Sequence, residues 1–309
     1  ALGQFGEADV IDRLVRALGD PAWWVRIRSV EALEQIGEVA EAPLLVALDD
    51  ADPEIRSRAA VALERLGVPA RLVGMIERGE RAEEAGALLV KFAIAGAHEL
   101  LAELLVHPSP RVRLATVIAI RRAGRRDLAA ELITAATGDA DRAIRAEAFD
   151  ALRVLGLREA VPAALTGMVD AAEPARTAAI RLIGELGGTE SIPGLRARTS
   201  DPEPAVRAAA VQALGLLRAS TAAPDFRRLL TDPSPEVRSA AAAATAATGA
   251  RQLGDDLVPL LDDPDPGVRR AAAAALGRVG NVGAVPAMVR AFHDADPALR
   301  EALAAAVAQ

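Results

Sequence analysis

Residues 232–249 read DPSPEVRSAAAAATAATG, a proline-studded entry into an alanine-rich helix. Close variants return along the chain: DPEPAVRAAAVQALGLL from Asp201, DPDPGVRRAAAAALGRVG from Asp263 and DADPALREALAAAVAQ from Asp294. Aligned on the Val-Arg step, copies fall at Val112, Ile144, Ala175, Val206, Val237, Val268 and Leu299, spaced 32 residues and then 31 five times running. Val25 and Ile55 extend the series upstream, 30 apart, and one degenerate copy centred near Glu84 fills the gap before Val112, giving ten copies. A fixed period of this length marks a stack of identical supersecondary units.

Each recurring position has a physical reason. Two residues before the Val stands Pro in many copies (Pro53, Pro110, Pro204, Pro235, Pro266, Pro297), suited to a first helical turn where no amide bond is lost. One residue earlier sits a side chain able to cap free amides, such as Asp52, Ser109, Asp141, Ser234, Asp265 or Asp296. From the Val onward, apolar residues recur at offsets 0, 4, 7, 8 and 11, one face of an α-helix. A Gly follows at offset 12 (Gly37, Gly67, Gly96, Gly124, Gly156, Gly187, Gly249, Gly280), with Arg218 in its place in the seventh copy. A second, shorter apolar helix runs between copies, for example APLLVALDD from Ala42 or VPAMVRAFHD from Val285. One such pair cannot bury both its faces alone. The predicted fold is therefore all-α, an α-α superhelix of about ten helix pairs forming a single solenoid over residues 1–309.

The pattern D-x-x-P-x-V-R-x-x-A-x-x-A-L-x-x-x-G resembles the HEAT repeat, in particular the short bacterial form grouped with phycobilisome lyase-type repeats. The resemblance implies a ladder of hydrogen bonds between neighbouring repeats, made by the Asp five before the Val and the Arg one after it. Its members would be Asp20 and Arg26, Asp50 and Arg56, Asp139 and Arg145, Asp170 and Arg176, Asp201 and Arg207, Asp232 and Arg238, Asp263 and Arg269, and Asp294 and Arg300. In the fourth copy, which keeps Arg113, His107 replaces the Asp. The third copy, about residues 68–96, lacks both members and is expected to be irregular.

Composition narrows the function. Of 309 residues 51% are hydrophobic and only 2% aromatic, so the core is built from Ala, Leu, Val and Ile. The absence of cysteine removes disulfides, thiolate nucleophiles and cysteine-ligated metals. A net charge of −7 argues against nucleic acid or an anionic membrane as the partner, and no run of 18 uncharged apolar residues could span a bilayer. No secretory leader opens the chain, and a cytoplasmic location is expected. ALGQFG at residues 1–6 matches ALEQIG at 32–37, and the last copy stops before its closing Gly. The expectation is a segment of a longer array.

The sequence carries no constellation of catalytic or metal-ligating residues, so neither a cofactor nor a metal is expected. The three histidines stand apart, none with a second ligand at i+4. HEAT-like deoxyhypusine hydroxylase builds a di-iron site from several His-Glu pairs, whereas His98-Glu99 is the only such dipeptide here. Lys91 is the only lysine and no P-loop surrounds it. GRVGNVG from Gly277 joins two helices with no strand. The arginines between Arg111 and Arg126 invite comparison with basic HEAT-like DNA glycosylases, but the cluster is local and its neighbours are acidic.

What remains is a surface. In such solenoids the long Val-Arg helices line the concave side, and offsets 2, 3, 6, 9 and 10 point away from the core. They present Val61 and Arg65, then Val90 and Ile94, then Leu114, Ile118, Arg121 and Arg122, then Asp150 and Arg153. Copy six presents Thr177, Ala178, Arg181, Gly184 and Glu185, and later copies mainly Ala, Gly and Ser. Apolar residues at such positions mark either an interaction patch or core displaced by the defective third copy. The arginines either grip carboxylates or complement helix C-termini. Trp23 and Trp24, where other copies carry Pro and a small or charged residue, read as a binding anchor or as packing against a loop. The expected function is a scaffold for a protein or peptide, the alternative a carrier or lyase-like protein holding a small hydrophobic ligand such as a tetrapyrrole.

Overall fold

The computed structural model describes residues 7–293 and 295–308, with only the backbone of Glu7. The opening ALGQFG and the ladder residue Asp294 lie outside the described residues. The described residues form helices and no strand. In chain order these are α1 (Glu7–Ala17), α2 (Trp23–Ile36), α3 (Glu41–Ala47), α4 (Pro53–Arg65), α5 (Val68–Arg78), α6 (Ala82–Ile94), α7 (His98–Leu105) and α8 (Pro110–Ala123). Then follow α9 (Ala129–Gly138), α10 (Arg142–Val154), α11 (Val161–Gly167), α12 (Glu173–Leu186), α13 (Ile192–Arg198) and α14 (Pro204–Leu216). The chain closes with α15 (Ala223–Leu229), α16 (Pro235–Thr248), α17 (Gly254–Leu257), α18 (Pro266–Val279), α19 (Val285–His293) and α20 (Pro297–Val307). The even-numbered members from α2 are the long Val-Arg helices, and many of the short ones are entered through a single 3-10 turn.

The helix boundaries follow from the repeat chemistry. Asp52, Asp141, Asp265 and Asp296 accept amide hydrogens of the first turn at 2.7–3.0 Å, whereas Ser109 and Ser234 hold the cap position without a side-chain bond. Seven of the eight offset-12 glycines take positive φ, and Arg218 adopts φ 51° in the seventh copy. Gly187 departs from the series with φ −78°. A Cβ there would come within 2.6 Å of the Ile183 carbonyl oxygen, so close approach rather than handedness requires glycine.

The chain divides into two compact units, the first ending at Ala135 and the second starting at Ala136. In the second unit α10, α12, α14, α16, α18 and α20 form an unbroken row, each packed along its neighbours, while α11, α13 and α15 pack chiefly on the long helices. Small residues set the spacing of the row. A Cβ added to Gly184, Gly215 or Gly277 would stand 2.9, 3.2 or 2.6 Å from the Cα of Ala213, Ala244 or Ala306. This corrects the outward reading of offsets 2 and 9. Thr177, Ala208, Gly184, Gly215 and Gly277 are buried between neighbouring long helices, which leaves offsets 6 and 10 as the solvent face. A helix in an array is covered from its sides as well as from its core, and single-helix periodicity counts only the latter.

In the first unit α2 packs on α4 and α6 on α8, but α4 and α6 barely meet. The short helix α5 reaches past its own partner to touch α8. The irregular third copy lies at this break.

Candidate functional site

The Asp and Arg positions of successive repeats meet in the second unit. In the second unit Arg145 sets Nε and Nη2 each 2.7 Å from the two carboxylate oxygens of Asp170. Arg207 does the same to Asp232 at 2.9 Å, and Arg238 to Asp263 at 2.7 and 2.8 Å. Arg176 reaches Asp201 through Nη2 alone, at 3.1 Å. Each of these arginines also turns Nη1 back to the carbonyls of its own repeat's Asp and the next residue; for Arg207 both lie at 2.9 Å. Each Asp meanwhile accepts the amide two residues on, as Asp232 does from Ser234 at 2.9 Å. One carboxylate thus fixes a loop and ties two repeats. The arginine hydrogen bonds are the main reason that Asp170 and Asp263 titrate below the ordinary carboxylate range. Asp232 is pushed up by burial, and its bond from Arg207 and further favourable contacts outweigh that and lower it.

The pattern is incomplete in the first unit. Arg26 bonds the Asp20 and Pro21 carbonyls, but its Nε lies 3.0 Å from Glu54 rather than at Asp50. Asp50 caps Asp52 instead, at 2.8 Å. Arg56 holds the Asp50 and Ala51 carbonyls, and its buried Nε has no acceptor because the third copy supplies no Asp. His107 takes over the loop-fixing half of the Asp role: its Nδ1 accepts the Ser109 amide at 3.2 Å, and Arg113 bonds its carbonyl at 2.8 Å. Asp139 accepts the Asp141 amide and, through its carbonyl, Arg145, both at 2.8 Å. At the far end Arg269 holds the Asp263 carbonyl at 2.8 Å and lies 4.0 Å from Asp296. Arg300 turns to the carbonyls of Phe292 and His293.

The apolar candidates of the first unit fall on three long helices. Val61 on α4, Val90 on α6 and Leu114 and Ile118 on α8 are partly exposed, and Ile94 on α6 is 50% exposed. The core of α6 is made by Ala85, Leu89, Phe92 and Ala93 instead. Arg65 is tied to Glu34 of the preceding repeat at 3.1 Å, Arg121 is half-buried, and Arg122 is exposed. In the second unit Arg153 is held by Asp150 at 2.6 Å and by Glu185 of the next repeat at 2.8 Å. Trp23 and Trp24, which open α2, are 66% and 60% exposed.

A second set of ties joins the short helices and the turns that enter them. Arg196 meets Asp225 at 2.6 Å, Arg227 meets Asp256 at 2.9 Å and His98 meets Asp127 at 3.0 Å, each 29 residues apart. The signal was present, since Arg196 and Arg227, like Asp225 and Asp256, stand one period apart. Among the described residues no group of three or more His, Asp and Glu side chains is placed to hold a metal ion, and no described helix is long and apolar enough to cross a membrane.

Rows of paired helices joined by a polar ladder define a helical-repeat scaffold. The family model for HEAT repeats matches residues 1–72, 97–181, 161–246 and 226–308, and the chain belongs to the HEAT-repeat family. The stretch left unmatched, 73–96, falls within the irregular third copy. No curated protein matches the sequence. Among solved structures, the Escherichia coli protein YibA shares 17% identity over 91% of this chain and 96% of its own, with a TM-score of 0.53. The complex of CpcE and CpcF of phycocyanin lyase from Nostoc aligns at 22% identity over 68% of this chain and 93% of that chain, TM-score 0.47. Human deoxyhypusine hydroxylase aligns at 20% identity over 87% of this chain and 96% of that chain, TM-score 0.36. At 17% identity the likeness to YibA is one of fold alone.

Proposed function

We propose that this HEAT-repeat chain is a scaffold that captures a protein or peptide on its long-helix face, centred in the first unit on Val61, Val90, Ile94, Leu114 and Ile118. The observation that carries the reading is the exposure of Ile94, with Val61, Val90, Leu114 and Ile118 partly exposed on the long helices α4, α6 and α8. Exposed aliphatic patches of this kind favour burial by a partner. Arg122 at the end of α8 offers a cation to orient an incoming carboxylate. Trp23 and Trp24 supply a second anchor of the type enriched at binding hot spots.

The test is capture of partners from a lysate by the unmodified chain and by the Leu114→Glu, Ile118→Glu double variant. Loss of capture with unchanged helical circular dichroism supports the site, and unchanged capture removes it. A coloured ligand co-purifying with the chain and lost in the same variant would favour a small apolar ligand instead. Duplex binding that collapses with salt would favour nucleic acid.

A further inference from the structure

We propose that the first unit contains a hinge at the junction of α4 with α5 and α6, and that the row from Val61 to Ile94 straddles it. The side-by-side packing of long helices that joins the repeats on either side is lacking at this junction. Along α2 and α4, and along α6 and α8, long helices pack side by side, whereas α4 and α6 barely meet. The ladder has no rung here, and the Nε of Arg56 is left buried without an acceptor. The linker between α4 and α5 is Leu66-Gly67, with Gly67 at φ 71° and open space around its Cα. The short helix α5 packs on both α6 and α8 and less extensively on α4, so most of its contacts lie with the later block.

What crosses the junction is weak or repulsive. Lys91 on α6 reaches Asp49 at 2.6 Å, and Arg71 on α5 pairs with Glu41 on α3. Both are surface pairs, a class that contributes little to rigidity. Glu64 on α4 and Glu99 on α7 line one open pocket, where burial and then the like charge of Glu99 raise the Glu64 carboxyl above its usual value. A hinge is inexpensive where rotation uncovers little packed apolar surface and breaks few buried bonds. The junction of α4 and α6 meets both conditions, and the junction of α6 with α8 does not.

Rotation about the Leu66-Gly67 linker changes the separation of Val61 on α4 from Val90 on α6. A partner that covers both side chains would therefore select one hinge angle from the ensemble. That coupling rests on the proposed function; the hinge itself does not.

The chain has no cysteine, so two introduced cysteines can be spin-labelled without background. Pulsed dipolar distances would be read for Arg58→Cys with Ala87→Cys, which spans α4 and α6, and for Ala87→Cys with Ala115→Cys, which spans α6 and α8. A distribution at least twofold broader across α4 and α6, broadened further by Lys91→Ala, is the expected result. Equal widths for the two pairs would overturn the hinge whatever the protein binds. Should a labelled variant lose its helical circular dichroism, hydrogen exchange of the unmodified chain decides the same question. The amides of residues 64–72, Pro69 excepted, should then exchange at least tenfold faster than those of the equivalent turn between α6 and α7, residues 93–101, and equal protection of the two turns would overturn the proposal.

Discussion

The guanidinium of Arg207 meets the carboxylate of Asp232 edge to edge, two nitrogens each 2.9 Å from one oxygen, with the side chains only 14% and 6% exposed. This contact joins successive repeats and also anchors the loop that starts α16, because Asp232 accepts the Ser234 amide. Removing one member of such a pair strands the other in a poorly solvated place. Asp232→Ala should therefore lower stability by about 3 kcal/mol. Asp9→Ala, which breaks an exposed pair with Arg13, should stay below about 1 kcal/mol. Urea denaturation of both variants checks the contrast, and equal effects would show that the ladder is only a surface decoration.

The ladder also carries a pH dependence. Asp170 and Asp263 titrate below the ordinary carboxylate range, chiefly because Arg145 and Arg238 hydrogen-bond their charged forms. A depressed folded value stabilises the fold above the unfolded value and loses that contribution as pH falls through the folded one. Denaturation midpoints should thus respond little to these groups between neutrality and about pH 5, then drop below about pH 4. Asp170→Asn, which cannot titrate, should show a shallower acid slope than the unmodified chain. An identical slope would mean that these carboxylates behave as free ones.

The close-packed row of the second unit can be probed with single methyl groups. Alanine is preferred to glycine within a helix by about 1 kcal/mol, so an open helical glycine should gain from substitution. Gly86 in α6 has nothing near its missing Cβ, and Gly86→Ala should stabilise by up to about that amount. At Gly277 the new methyl would lie 2.6 Å from the Ala306 Cα. Backbone cannot yield as a side-chain tip can, and overpacking costs about 1–3 kcal/mol. Gly277→Ala should be the less stable protein in thermal melts.

The helix pairs, their caps and their closing residues could be read in the sequence because each depends on chemistry within one copy. Asp141 announces the start of α10 and Gly156 its end without reference to anything distant. Contacts between copies were legible only where the resemblance supplied them, as for Asp170 and Arg145. The burial of Thr177 and Gly184 was not, because it depends on how closely α14 approaches α12. Nor was the capture of Arg26 by Glu54, since a glutamate one turn beyond the expected Asp50 competes only once the helices are placed. The ion pairs of Arg65 with Glu34 and Arg153 with Glu185 had the same standing. In sequence these arginines read either as grips for a ligand or as complements to helix C-termini, and in the fold they tie repeats together.

Glu64 offers a last prediction, of opposite sign to the ladder. It is partly buried at the end of α4, and burial first, with Glu99 second, raises its carboxyl above the usual value. A raised folded value gives stability that is fully present below the unfolded value and lost as pH rises through the folded one. At neutral pH the charged carboxylate is therefore a liability, which an uncharged amide of similar size avoids. Glu64→Gln should raise the denaturation midpoint at pH 7, and the gain should shrink as the pH falls through the raised folded value into the ordinary carboxylate range. Glu99→Gln should give a smaller gain, because it removes the repulsion and leaves the burial. Should Glu64→Gln destabilise the chain at neutral pH, the carboxylate must be meeting a cation there, and the like charge of Glu99 would no longer count against the rigidity of the α4 junction.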